Sequence, residues 1–251
     1  MTIRLLFLFT ASFLYLGSVF AQAPTIAVAA NMKDAFAEIA GAFKSPNKSE
    51  MKVVYGSSGN FAAQIMNGAP FGLLIAADER FPLELYKNGK TVDEGAVYAI
   101  GKLVMITKTS SGIQLLESKA ALTKAMSKAN KIAIAKPELA PYGRAAVQYL
   151  KAEGLWDAAK GKLVYADNIG AATTYVMSGA ADIGFTALSL VRSPEVTKQA
   201  SFLLADAALY EPIKQRMVLM KGAPQELVDL YRFMQGPQAK SILQNYGYTT
   251  P

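Results

Sequence analysis

The sequence predicts an α/β protein of two lobes, each a mainly parallel sheet flanked by helices, with two hinge crossings between them. Three observations carry this. Short apolar runs alternate with stretches of helical periodicity, the pattern of repeated β-α-β units. That alternation lapses after about residue 107 and restarts at Lys131. About 230 residues remain once an N-terminal leader is set aside, long for one compact domain and comfortable for two.

The leader is residues 1–21. Arg4 supplies a positive charge, Leu5 to Leu16 is almost wholly apolar, and Val19-Phe20-Ala21 gives small residues at −3 and −1 of a cut before Gln22. This reads as a secretory signal peptide, too short for a membrane span. The chain has no cysteine, hence no disulfide and no lipid-attachment site. A free protein exported to a Gram-negative periplasm is the expectation.

The first lobe opens with a strand, Thr25 to Ala30, then Asn31 and a helix whose apolar Phe36, Ile39, Ala40 and Phe43 share one face. Asn31 stands at the turn, where capping is its plain role, with Asp34 near the positive helix end. A second strand, Met51 to Tyr55, runs into Gly56-Ser57-Ser58-Gly59 and a helix closed by Gly68. One of the two serines caps that helix. The same turn also offers N–H groups and hydroxyls at a helix N-terminus, a ready anion site. Phe71 to Ala76 reads as a buried parallel strand, and 81–88 as a short helix ending at Asn88-Gly89. Asn31 and Ser58 both follow strands directly, at the sheet edge where binding crevices of α/β proteins lie.

Ile100 to Thr107 reads as a strand crossing into the second lobe. After a weak helix from Ala120 to Ala129, the strand Lys131 to Ala135 leads through Pro141-Tyr142-Gly143 into a helix ending at Glu153. Trp156 is expected as a core anchor. Leu163 to Tyr165 is a strand, and Ile169-Gly170 opens a helix to Met177. Asp182 to Thr186 is strand-like, 187–200 a helix broken near Pro194, and 202–204 a short strand. Tyr210 to Ile213 leads into the return crossing, and helices 224–235 and 237–246 finish the chain. Lobe I is thus 22–101 with 214–251, and lobe II 102–213, an arrangement suited to hinged closure. Tyr175, Phe185 and the methionines are read as core, Arg144 as solvated.

Histidine is absent as well as cysteine. That excludes the usual zinc ligands, Ser-His-Asp and Cys-His nucleophiles, and imidazole acid–base chemistry. Net charge is +7, or +6 without Arg4, from scattered lysines and arginines. Nucleic-acid binding needs such residues clustered and is a poor reading; a mild positive field suits a small anion.

These stretches resemble one family. Ala29-Ala30-Asn31, Gly56-Ser57-Ser58-Gly59, Gln64 to Pro70, Ala76-Ala77-Asp78-Glu79, Ala140-Pro141-Tyr142-Gly143, Ser178 to Phe185, Tyr210-Glu211-Pro212 and Gly236-Pro237-Gln238-Ala239 occur in the order found in periplasmic molybdate-binding proteins. Those proteins are the receptors of molybdate ABC importers and have the type II periplasmic binding-protein fold. The resemblance implies a ligand, molybdate or tungstate, held by Asn31, Ser58, Tyr142 and the backbone N–H of Ile169, with Ala30 and Ser57 as weaker candidates. It implies no cofactor, no metal ion held by side chains, a membrane permease as partner and a monomer. Many relatives have serine where Asn31 stands and tyrosine where Ala187 stands. The branch with asparagine at the first place tends to carry threonine where this chain has Ala30, so a side-chain contact there is lost and only a backbone one remains.

All four positions are turns opening onto helices, two in each lobe, and offer donors without a carboxylate. That suits a fully deprotonated tetrahedral dianion. Hydrogen phosphate keeps a proton and needs an acceptor, which Asp34 or Asp167 would supply only by pointing inward. Sulfate or phosphate receptors are therefore the alternative within the class. A secreted serine hydrolase, resting on Ser45-x-x-Lys48 or the GSSG turn, lacks a base. A ligand-sensing module of a regulator shares the fold but would carry a DNA-binding segment.

Overall fold

The computed structural model describes residues 23–44 and 50–251. The signal peptide read over 1–21 and the Ser45–Lys48 spacing lie outside the described residues. The first part of the chain forms β1 (Thr25–Ala29), α1 (Lys33–Ala42), β2 (Lys52–Gly56), α2 (Ser58–Met66), β3 (Phe71–Ile75), α3 (Arg80–Lys87) and β4 (Ala96–Gly101). Then follow β5 (Leu103–Lys108), α4 (Lys119–Lys128), β6 (Ile132–Ala135), α5 (Pro141–Ala152), α6 (Trp156–Ala159), β7 (Leu163–Ala166), α7 (Ile169–Met177) and β8 (Ile183–Ala187). The rest is α8 (Leu188–Val191), α9 (Pro194–Thr197), β9 (Ala200–Leu204), β10 (Ile213–Leu219), α10 (Gln225–Met234) and α11 (Pro237–Asn245).

Two five-stranded sheets result, in the orders β2-β1-β3-β10-β4 and β7-β6-β8-β5-β9. Each has a parallel half, β2-β1-β3 and β7-β6-β8, built from β-α-β units. The strands next to the chain crossings, β10 and β4 in one sheet and β5 and β9 in the other, pair antiparallel, so both sheets are mixed. Helices flank both sheets, the two-lobed architecture of periplasmic binding proteins.

The period of two in β1 sorts its side chains between two cores. Ile26 and Val28 face a cluster with Phe36, Ile39, Leu227, Leu230 and Leu243, which covers one sheet face with α1, α10 and α11. Ala27 faces the other way, onto Phe61, Ile65, Phe81 and Leu85 from α2 and α3. The second sheet is wrapped by one larger core containing Met105, Ile134, Leu150, Val176 and Phe185.

Three expectations need correction. The strand read over 100–107 is two strands in different sheets: β4 ends at Gly101, the backbone turns at Lys102, and β5 begins at Leu103. The apolar run continues across the turn, so the pattern hides the break, and Ala96–Ala99 carried no expected element. Gly101 is required there because any Cβ would strike the Tyr142 hydroxyl and the Gln215 amide. Trp156 is only partly buried; Lys151 Nζ sits 5.2 Å from its ring, and neighbouring Leu155 is the enclosed residue. Tyr175 is exposed, whereas Phe185 is in the core as expected.

Candidate functional site

Four turns after strands build the site. In the first, β1 runs into a single 3-10 turn, Ala30–Met32, and then α1. Asn31 does not cap that helix. Its Nδ2 donates to Gln215 Oε1 at 2.9 Å and to the Tyr248 hydroxyl at 2.8 Å, while its backbone carbonyl accepts from Ser189 Oγ at 2.8 Å. The partners are 158 to 217 residues away in sequence, so local capping preference had no means of competing. Asp34 makes no side-chain cap either.

The GSSG turn divides its two serines. Ser57 is the N-cap of α2, its Oγ accepting from Asn60 N at 3.4 Å. Ser58 Oγ accepts from the backbone N–H of Ala77 at 2.9 Å. A hydroxyl has one proton, so this leaves the Ser58 O–H to donate elsewhere.

In the third turn Pro141 occupies the first position of α5, where its missing N–H costs nothing, and Tyr142 follows. Gly143 lets α5 sit directly on the end of β6, since a Cβ would collide with the Ala135 carbonyl. In the fourth, Asn168 caps α7 by accepting from Ala171 N at 3.0 Å, and Ile169 is the first helical residue. Asp167 is not the cap. It lies at the surface, paired with Lys136 at 2.6 Å. The backbone N–H groups of Ser58, Tyr142 and Ile169 all fall in first turns, where a helix has no acceptor for them.

These turns meet. Asn31, Ser58, Tyr142 and Ile169, with Ala30 and Ser57, line one small cavity. Its other walls are Ala29, Gly56, Ala77, Ala140, Pro141 and Asn168, and among the described residues no carboxylate, lysine or arginine lines it. What converges is a set of N–H and O–H donors at positive helix ends. Tyr142 brings a backbone N–H and a phenol; the phenol lies against Gly101 and is bonded to Gln215 Nε2 at 3.0 Å. Burial pushes the hydroxyls of Tyr98, Tyr142 and Tyr248 well above their usual range, so all three stay protonated.

Contacts between the two sheets' elements enclose the cavity. Gly59 N donates to Leu139 O at 3.0 Å, and Arg80 Nη2 to Glu138 O at 3.1 Å. Arg144, expected to be solvated, instead pairs with Asp78 across the cleft. Burial raises the Asp78 carboxyl above its ordinary value, against the pull of the Arg144 guanidinium.

Reading the sequence missed Gln215, Tyr248, Ser189, Tyr98 and Asp78. Gln215 left a signal, being a polar residue at the same period-two position as Ile213 and Met217. It is fully buried, whereas the alternate Lys214 is exposed. Tyr248 and Ser189 left none.

A two-lobed fold with donor-lined space for a small ligand between its sheets defines a class: solute-binding proteins of the periplasmic type. The chain belongs to the bacterial extracellular solute-binding protein family, whose model matches residues 24–249. It is 38% identical over 229 residues to the molybdate-binding protein ModA of Azotobacter vinelandii, covering 89% of this chain and 88% of that one. It is 34% identical to ModA of Rhodobacter capsulatus, over 89% and 87% of the two chains. The structure of the Azotobacter vinelandii periplasmic molybdate-binding protein superposes with a TM-score of 0.80 at 32% identity, covering 91% of this chain and 99% of that one.

Proposed function

We propose that this protein is the periplasmic receptor of an ABC importer, capturing molybdate, and tungstate with it, as one tetrahedral oxyanion between its lobes. The single observation that carries the reading is the convergence of Ser58 and three helix first turns on one cavity without a carboxylate. Ser58 has its proton to give, and the first-turn N–H groups of Ser58, Tyr142 and Ile169 line the same space. Hydrogen bonds to an anion are each worth roughly 1.5–3 kcal/mol, so a few suffice without a neutralising side chain. Molybdenum enters as cargo, held through its oxygens. Ala30 and Ser57 are wall residues in this account. Ser57 is already engaged as a cap, and Ala30 has only its backbone to offer.

The lobes are 22–101 with 214–251, and 102–213, and they close about the crossings at Lys102 and at Ile213. The protein acts as a monomer, is exported by its leader, has no catalytic role, and hands its ligand to a membrane permease. Ser58 has no base beside it, and the chain has no histidine to serve as one. A thermal-shift panel of molybdate, tungstate, sulfate and phosphate tests the reading, because binding to the folded state raises its stability by mass action. Stabilisation by molybdate and tungstate at the lowest concentrations supports it. Preference for sulfate or phosphate assigns the receptor to that anion instead.

A further inference from the structure

A buried polar network joins the cavity to the chain crossings, and its centre is Gln215. Gln215 is fully buried on β10 and Asn31 is 1% exposed. The Gln215 Oε1 end lies 2.9 Å from both Asn31 Nδ2 and the Tyr98 hydroxyl, and its Nε2 end lies 3.0 Å from the Tyr142 hydroxyl. In this arrangement two groups have nothing to bond among the described residues. Asn31 Oδ1 is buried without a partner. The Tyr142 hydroxyl spends its lone pair on Gln215 and has no acceptor for its own proton. Buried polar groups are normally paired, and an amide left half-paired is the place to look for an alternative.

Turning both amides by 180° with no atomic position changing pairs the Tyr142 proton and leaves unpaired only the end of the Asn31 amide that has no protein partner in either arrangement. Tyr142 O–H then donates to Gln215 Oε1. Gln215 Nε2 donates to Asn31 Oδ1 and to the Tyr98 oxygen, and Tyr98 donates to Ala76 O, already 2.9 Å away. The Tyr248 hydroxyl turns its proton from the Asn31 carbonyl at 3.0 Å or Ser189 Oγ at 2.9 Å to Asn31 Oδ1, and Ser189 keeps its bond to the Asn31 carbonyl. Asn31 Nδ2 takes the place of the unpartnered oxygen. The two amides must turn together, since otherwise two donors or two acceptors face each other.

We propose that Gln215 is a positioning residue for the oxyanion site: coupled to Asn31, it decides whether that side chain offers the ligand an N–H or a C=O. The turned arrangement, with N–H toward the cavity, is the one that binds a fully deprotonated dianion. The other presents an acceptor, which repels such an ion and suits an anion that still carries a proton. This rests on the oxyanion reading and adds to it the means of telling deprotonated from protonated anions.

The test is titration calorimetry of the wild-type protein, Gln215→Glu and Gln215→Met with molybdate and with phosphate at mildly alkaline pH, where phosphate keeps one proton. A carboxylate at 215 accepts at both ends, which draws the Asn31 NH2 toward it and holds Oδ1 in the cavity. The molybdate-to-phosphate affinity ratio is expected to fall at least tenfold in Gln215→Glu, about 1.4 kcal/mol. In the uncharged Gln215→Met, which also covers failure of the first variant to fold, the ratio falls by less. A ratio unchanged in the folded variants, with both affinities reduced together, means a merely structural or charge effect and overturns the proposal. Wild-type protein that binds neither anion overturns the oxyanion reading, and this proposal with it.

Discussion

Ser58 Oγ accepts the backbone N–H of Ala77 at 2.9 Å, which ties the start of α2 to the end of β3 and leaves its own proton to be donated elsewhere. In the proposed reading that proton goes to the anion. On that reading Ser58→Ala removes a hydrogen bond to the anion and leaves the Ala77 N–H unpaired. Loss of roughly 1.5–3 kcal/mol is expected, about one to two decades in molybdate affinity by calorimetry. Ser57→Ala, which removes only a cap, is expected to lower stability by about 1 kcal/mol while affinity stays near wild type.

Gly59 marks how closely the lobes approach. A Cβ there would stand 2.9 Å from the Leu139 backbone and 2.7 Å from the tip of Phe81. The Phe81 ring can yield within its own lobe; the Leu139 backbone can yield only if the lobes part. Gly59→Val is therefore expected to weaken molybdate binding and to keep the protein extended in small-angle X-ray scattering when ligand is added. A ligand-induced contraction equal to that of wild type would show that the approach is not limited at Gly59.

Asp78 and Arg144 face each other across the cleft, and burial sets the sign of their pH dependence. The folded state holds the Asp78 proton more tightly than the unfolded chain does. Its contribution to stability is therefore present in acid, below the ordinary carboxylate value of 3.8, and is lost as pH rises through the raised one. Arg144 opposes that rise. Arg144→Met is expected to push the Asp78 pKa higher still, read by carboxyl NMR titration, and a downward move contradicts the pairing.

Phe36 is fully buried beneath β1 among residues of α10 and α11. Phe36→Ala is expected to cost about 3–5 kcal/mol in urea denaturation, since the fixed helices around it cannot collapse into the space.

The sequence is legible wherever the causes are local. Strand–turn–helix units, glycine at the helix C-terminus after Met66, proline at the start of α5 and the placing of Asn31 and Ser58 directly after strands all follow from short-range rules, whereas Tyr142 and Ile169 are picked out by the family resemblance. What is not legible is set by long-range pairing. Asn31 reads as a cap because its neighbours permit one, yet its amide is claimed by Gln215 and Tyr248 from the far end of the chain. Arg144 reads as solvated because Asp78, 66 positions away, is invisible to periodicity. The break at Lys102 is concealed for the same reason: β4 and β5 are separated by their partners, and one apolar run serves both.

The central claim is that one molybdate sits among Asn31, Ser58, Tyr142 and Ile169. Crystals grown with molybdate, with anomalous data collected at the molybdenum edge, test it most directly. The account predicts a single molybdenum peak in that cavity, with oxygens in hydrogen-bonding reach of Ser58 Oγ and of the Ile169 N–H. A peak elsewhere on the protein, or none in crystals of the closed form, would contradict it.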